Sequence, residues 1–476
     1  MENDLPQKYP SKLPPTSDGK NPHTLIAGAG LAGLLLAILL ERAGIPYELF
    51  ERSPEAKPLG SIISLSANVL PVFEQLGMYE ELKATSLPGS TFEILNADLE
   101  RISLFHTDSA EAEVIGYIRL HFSRPRLYDL LLSKIPSHKT HFSKKILNLS
   151  QNKDGVMIRC ADGTTYHGDV LVGSDGAHSA VRQSLYKQMA DSSILPPSDA
   201  LDLNKGYTCL VGTTSPVDAE KFPVVEDKDN GGVLVIGNNN SWVWGLHPVG
   251  DNRIAWSIIS QIATKAKLED LKFRNAEWGP ESHPEMISEV RNFNSPYGKT
   301  LGDLIDATPS ESISRVFLED KLFQTWHHNR TVLIGDAAHK LLPSSGQGAN
   351  NAFEDAIVLA NCLYDIGTPS LPDVKAALKS YKDQRLPHVL EQYEASKASA
   401  KFLYGHTFFE RCIRHVVFNW VPKSKLSEMM QKDAAYRPQA TFLPLAPKRG
   451  KCYIEPQFPN KRYEAEQKAK QTAAAV

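Results

Sequence analysis

Short unbroken apolar runs that end on glycine recur along this chain. The first, His23–Ala27, reads as a buried strand. Leu31–Ala43 follows as a helix stopped by Gly44 at its C′ position, and Tyr47–Glu51 reads as a second strand. Strand, turn, helix and strand within about 30 residues make a βαβ unit. The uncharged run Leu25–Leu40 is 16 residues long, short of the roughly 20 needed to span a bilayer. Gly28, Gly30 and Gly33 interrupt it, so a strand and a buried helix explain it better.

Other runs alternate. Gly60–Leu65 precedes a helix near Ala67–Leu76. Phe92 with Ile94, and Ile118 with Leu120, predict short strands; Tyr128–Ile135 predicts a helix. Ile146–Leu149, Val156–Cys160 and Thr165–His167 form a meander that turns at Asp162-Gly163. Val170–Gly173 and Thr331–Ile334 are buried strands again. Val233–Ile236, Trp242–Leu246 and Ile254–Ile258 are the clearest strands of a second lobe built on a sheet, and Asn351–Leu363 begins a helical region.

Composition adds little to that picture except by exclusion. The 476 residues suggest two or more lobes. A net charge of −3 gives no field that would attract nucleic acid. The charge is uneven: Val421–Val476 holds 11 Lys/Arg and 5 Asp/Glu, a surplus of +6 that reads as a solvated end. Five cysteines without a CxxC pair fit a reducing compartment, with neither a disulfide framework nor a structural metal. Met1–Asn21 is polar and contains four prolines, Glu2, Asp4 and Asp18, unlike a secretory or mitochondrial leader. The expected location is cytoplasmic.

Three motifs carry chemistry. Gly28-Ala29-Gly30-Leu31-Ala32-Gly33 joins strand to helix, where glycines permit a tight turn, close approach of a pyrophosphate and close helix packing. The helix N-terminus favours phosphate. Glu51, followed by Arg52, ends the second strand 18 residues after Gly33 and suits the ribose hydroxyls of an adenosine. This context specifies a dinucleotide but does not separate NAD from FAD. The second motif runs Gly173-Ser174-Asp175-Gly176-Ala177-His178-Ser179-Ala180-Val181-Arg182. The third runs Gly335-Asp336-Ala337-Ala338-His339, then Pro343, Gly346-Gln347-Gly348-Ala349-Asn350-Asn351 and Glu354-Asp355-Ala356. Its aspartate can accept hydrogen bonds from a polyol, and its helix N-terminus can stabilise negative charge on a reduced flavin.

In this order and spacing, the motifs resemble those of the single-component FAD-dependent aromatic hydroxylases (para-hydroxybenzoate hydroxylase and salicylate hydroxylase types) and of fungal FAD monooxygenases of secondary metabolism. The resemblance covers residues 23 to 395 and rests most on the match to GDAAHxxxPxxGQGxNxAxEDA. It implies an α/β fold: a Rossmann-like FAD-binding domain with an inserted, mainly β substrate domain and C-terminal helices. The expected FAD-binding pieces are 23–85, 123–195 and 306–365, and the substrate pieces are 86–122 and 196–305. A flexible segment occupies 1–22, C-terminal helices 366–430, and a basic tail 431–476.

The resemblance also implies residue roles. Arg124 contacts FAD from a helix start. Asp175 lies near FAD and the route of NAD(P)H. Gly335 and Asp336 meet the ribityl or pyrophosphate portion, and Pro343, Gly346, Gly348, Ala349 and Asn350 border the ring. Ser64 is a further FAD-binding position, although Ser61, Ile62 and Ile63 depart from the family's small-residue pattern. The expected catalytic set is Pro343, Asp175, His247 and Tyr207, with His121 a further candidate base. NAD(P)H would reduce FAD, O₂ would add at flavin C4a, and one oxygen atom would pass to an aromatic or alkene-containing small molecule. The alternatives are an FAD reductase or oxidase of a lipophilic substrate and a flavin halogenase, the latter for Trp242-Val243-Trp244-Gly245-Leu246-His247-Pro248, a partial match to WxWxIP. Residues 404–421 repeat apolar positions every four residues. They read as an amphipathic helix docked on its own domain or touching a membrane peripherally.

Overall fold

The computed structural model describes residues 21–55, 62–87, 89, 91–106, 109–237, 242–262, 277–278, 284–405 and 407–474. The expected flexible segment and Ser61 fall outside them, apart from the last two residues of the segment.

Two sheets organise the chain. The first has the order β18 (His327–His328), β19 (Thr331–Leu333), β11 (Val170–Gly173), β1 (Thr24–Ala27), β2 (Tyr47–Phe50), β7 (Thr140–His141). The pairs β19–β11, β11–β1, β1–β2 and β2–β7 are parallel. Strands β1, β11 and β19 are buried at every position, as expected of a parallel sheet covered on both faces. Helix α1 (Leu31–Ala43) crosses from β1 to β2 and is buried from Ala32 to Leu40. Gly44 ends it in the left-handed region (φ 67°) and returns its N–H to Leu40 and Glu41. A meander of β8 (Ile146–Gln151), β9 (Val156–Cys160) and β10 (Thr165–Gly168) precedes β11, with Gly163 at positive φ in its turn.

The second sheet has the order β16 (Glu277–Trp278), β17 (Ser314–Leu322), β12 (Asn204–Thr213), β15 (Ile254–Gln261), β14 (Trp242–Pro248), β13 (Asn230–Ile236), β4 (Thr91–Asn96), β5 (Arg101–His106), with β20 (His339–Lys340) pairing β17. Period-2 alternation gives it two apolar faces. Leu210, Val233, Val235, Trp244, Leu246, Trp256 and Ile258 pack on one side with Met286, Val290 and Leu304. Ile94, Tyr207, Cys209, Ile236, Val243 and Ile259 pack on the other with Leu342, Ala400 and Tyr404.

Three expectations are corrected. Strand β17 lies in the piece 306–365 assigned to FAD, yet it pairs with β12 along its length, so the sheet reaches past residue 305. Strand β6 (Leu120–Ser123), assigned to the substrate strands, pairs instead with β3 (Ile62–Leu65) beside the first unit. The end expected to be solvated is packed: Ala434, Arg437, Ala440, Phe442, Cys452 and Asn460 are buried. Gln75 bonds Ala440 and Pro444, and Asn68 bonds the carbonyls of Asp433 and Tyr436. The surplus of lysine concealed this, because charge count says nothing about where the intervening Ala, Phe and Asn residues go.

Candidate functional site

The motifs are adjacent strand ends. Motif one leaves β1, Glu51 follows β2, motif two leaves β11 and motif three follows β19, so four neighbouring parallel strands deliver them to one edge. Ligands bind at such carboxyl ends in open α/β sheets.

Backbone builds the first part. Gly28 has φ +102°, and a Cβ there would lie 2.6 Å from the Ser174 carbonyl oxygen; at Gly33 it would lie 2.1 Å from the Gly28 carbonyl oxygen. Ser174 Oγ donates to the carbonyls of Ala27 (2.9 Å) and Gly28 (2.8 Å), so motif two braces motif one. No side chain caps α1, which leaves its first-turn N–H groups for a ligand. Glu51 accepts from the N–H of Ala29 (3.1 Å) and of Ser53 (2.9 Å), which fixes its carboxylate beside the turn. Arg124 opens α2 (Arg124–Leu132), and both it and Glu51 act electrostatically on Tyr128, which places them together. Arg52 is exposed next to Glu51, and Arg126 is a surface residue paired with Asp251 at 2.5 Å.

Asp175 is held by the helix that follows motif two. It accepts from Ser179 Oγ and from the N–H groups of Ala180 (2.7 Å) and Val181 (3.1 Å), at the start of α3 (Ala180–Asp191). Burial raises its carboxyl, and these bonds oppose the rise. The geometry makes it a helix-capping and positioning group. Arg182 ties motif two to motif three by donating to the Ala337 carbonyl at 2.9 Å.

Motif three is anchored from below. Asp355, on α4 (Gly348–Tyr364), accepts from the Gly335 N–H (2.7 Å), His339 Nε2 (2.6 Å) and Arg385 Nε (2.8 Å). Burial alone would raise the Asp355 carboxyl, but His339 and Arg385 outweigh it and hold it at about 2. Arg385 Nη1 also lies 2.8 Å from Glu354, whose carboxyl burial pushes up to about 8. One guanidinium thus faces two buried carboxyls: it helps hold Asp355 down, while at Glu354 burial outweighs its pull. Arg385 comes from α5 (Leu371–Tyr404), a helix of 34 residues. It was not among the expected site residues. Its signal is its place on the apolar stripe Val374, Leu378, Tyr381, Val389, where a charge needs a partner.

The loop above these anchors is open. Pro343 starts a short turn that Gly346 ends at φ 65°, and a Cβ at Gly346 or Gly348 would meet nothing within 4 Å. Gln347 N-caps α4 without a side-chain cap; its side chain donates to Asp433 instead, at 3.0 Å. Ala349 lies in the first turn of α4. Asn350 donates to the Ser64 carbonyl (3.1 Å) and accepts from the Ser66 N–H (3.0 Å), joining the loop to β3. Asp336 is half-buried and paired with Lys340 at 2.5 Å.

The candidate bases separate. Tyr207 is buried against Tyr404 (ring centroids 5.4 Å apart), and burial raises its phenol, away from the ionised form a base needs. His121 is bonded through Nδ1 to Ser64 Oγ at 2.9 Å, and burial, with Arg119 and His247 nearby, lowers it to about 4. His247 Nδ1 lies 3.1 Å from the Gly231 carbonyl, and its ring stacks on Phe92. Trp242 and Trp244 sit on the opposite face of β14, packed with Phe293, as core rather than chemistry.

Glycines shaped for close approach, free helix N–H groups, a ribose-compatible carboxylate and an open glycine loop fit a bound dinucleotide that extends toward the second sheet. A family model described as FAD binding domain matches residues 22–396. Aurachin C monooxygenase/isomerase of Stigmatella aurantiaca is 29% identical over 416 residues, covering 87% of this chain and 98% of its own. The FAD-dependent monooxygenase nodM of Hypoxylon pulicicidum is 30% identical over 385 residues, covering 78% and 79%. The fold resembles Klebsiella pneumoniae HpxO complexed with FAD and uric acid, with TM-score 0.70, 21% identity and coverage of 87% and 97%. It also resembles 2,6-dihydroxypyridine-3-hydroxylase from Arthrobacter nicotinovorans, with TM-score 0.66, 21% identity and coverage of 82% and 95%. The chain belongs to the FAD-binding-domain family and is an FAD-dependent monooxygenase.

Proposed function

We propose that this enzyme uses NAD(P)H and O₂ to insert one oxygen atom into an apolar small molecule with an aromatic ring or an alkene. The observation that carries this reading is the placement of the open Pro343–Gly346 turn beside an apolar sheet face, with Leu342 packed into that face. In this reading Glu51 and Arg124 hold the adenosine end of FAD. Gly28–Gly33 and the start of α1 hold the pyrophosphate, Asp336 the polyol, and Pro343, Gly346–Asn350 and Ser64 border the ring. Bound FAD supplies the redox chemistry, taking two electrons from the nicotinamide and activating O₂. The protein orients the substrate and excludes water. Oxygen uptake coupled to NAD(P)H oxidation, screened with aromatic acids, indoles and prenylated aromatics, tests it. Stimulated consumption with a product heavier by one oxygen atom is expected; product without added oxygen would favour the reductase or oxidase reading.

A second element concerns location. On α6 (Phe408–Trp420), Phe409, Ile413, Val416 and Trp420 form one outward stripe, 72% exposed at Phe409 and 74% at Trp420, with Arg411 and His415 exposed beside it. No described helix is long and apolar enough to cross a membrane. We propose that this stripe rests on an anionic lipid surface. Cosedimentation with phosphatidylserine vesicles, lost in Phe409→Ser/Trp420→Ser, is the expected result; equal sedimentation of the variant would exclude this role.

A further inference from the structure

We infer that His247 is the substrate-activating base, accepting at Nε2 the acidic hydrogen of a hydroxyl- or N–H-bearing aromatic substrate. This deepens the monooxygenase reading and rests on it.

The tautomer is fixed by elimination. The Gly231 carbonyl can only accept, so Nδ1, 3.1 Å away, must carry the hydrogen. A neutral ring then has a bare Nε2. Among the described residues Nε2 has no hydrogen-bond partner. Two glycines make this geometry. A Cβ at Gly232 (φ +131°) would lie 2.0 Å from His247 Nδ1. Gly245, the next residue on the same face of β14, has no side chain, and a Cβ there would lie 3.2 Å from the hydroxyl of Ser257 on the neighbouring strand and 3.7 Å from Nε2. Nε2 therefore points along β14 over Gly245, in the direction of Val243 and the apolar cluster of Ile94, Tyr207, Ile236 and Leu342. Burial lowers the imidazole, which keeps it neutral before substrate binds; once the proton has moved, the negative charge left on the substrate opposes that shift and holds the proton on Nε2.

His247 also borders the cofactor side. The titratable ring near it is His121, on β6, with Arg119 beyond. His121 bonds Ser64, whose carbonyl is held by Asn350 at the start of α4. The line Asn350, Ser64, His121, His247 thus runs from the open glycine loop to the substrate face. Phe92 stacks on the ring at 5.9 Å and holds its plane.

In the step, the substrate O–H or N–H bond breaks and an Nε2–H bond forms. The electron pair stays on the substrate heteroatom and enriches the ring, which favours attack on an electrophilic oxygen. The Nδ1–H bond to Gly231 stabilises the imidazolium. The overall reaction consumes one proton as the second oxygen atom leaves as water, so no surplus proton accumulates.

The test uses FAD-loaded enzyme and 4-nitrophenol, whose ionised form is coloured, read by difference spectroscopy. Wild type is expected to bind it ionised below its solution pKa. His247→Gln and His247→Asn are expected to lower the bound ionised fraction roughly tenfold, one pKa unit, with FAD content unchanged. The Asn amide can still donate to Gly231, so this variant separates loss of the base from loss of the fold. His121→Gln is expected to retain the ionised band. No ionised ligand in wild type, undiminished ionisation in both His247 variants, or its loss in His121→Gln alone would overturn the proposal. Absence of oxygen insertion with ionisation intact would instead count against the monooxygenase reading of the substrate, not against the base.

Discussion

The strand ends of the first sheet and the inner face of the second are neighbours built on opposite principles. At the strand ends the contacts are main chain: Gly28 and Gly33 clear space, Ser174 braces carbonyls, and α1 leaves its N–H groups uncapped. On the sheet face nearly every contact is a side chain at an alternating position. A backbone site tolerates few residue types, so its sequence is constrained. A side-chain surface can be refilled in many ways at similar volume. One fold can thus keep a cofactor while its substrate changes.

The sharpest way to break that contrast is at a glycine. Gly33→Val places carbon atoms where the Gly28 carbonyl already stands 2.1 Å from a Cβ, and complete loss of FAD from purified protein is expected by absorbance. Next in size is Arg385→Met, which leaves Asp355 buried without its guanidinium. Denaturant unfolding should show a loss of about 3–5 kcal/mol. On the sheet side, Gly232→Ala pushes into His247 and should keep FAD while lowering turnover by roughly 10²-fold, the lower end for loss of one acid–base group. Loss of flavin there would merge the two regions.

The smallest effect is a pH dependence. Glu354 is raised in the fold, so its protonated form stabilises the fold fully below its unfolded value, and that contribution is lost as pH rises through about 8. Glu354→Gln stays neutral throughout. Its melting temperature relative to wild type should therefore rise from about pH 4.5 to 8 and level off above. A falling difference would mean that Glu354 is ionised beside Arg385.

The same contrast explains what could be read from the chain. The βαβ unit, its glycines and Glu51 were legible because turn geometry admits few alternatives. The long third motif was legible as a motif, but the purpose of Asp355 was not, because its partner Arg385 is 30 residues away on another helix. Asp175 was expected in the catalytic set, but its bonds to the first N–H groups of α3 were not legible in the sequence. Strand β17 was missed as part of the second sheet because pairing with β12 is a tertiary fact. The second sheet was legible only as strands; which alternating face points inward depends on packing. The end after Asp433 hid its burial behind lysines that remain on the surface.

That end has a consequence for biosynthesis. Asn68 and Gln75 of the first unit bond carbonyls that follow 365 or more residues later. At ribosomal rates of about 5–20 residues per second, those partners emerge on the order of tens of seconds after the glycine turn. The nascent Rossmann unit therefore waits, with part of its polar surface unmatched, until residues 433–444 arrive to complete it.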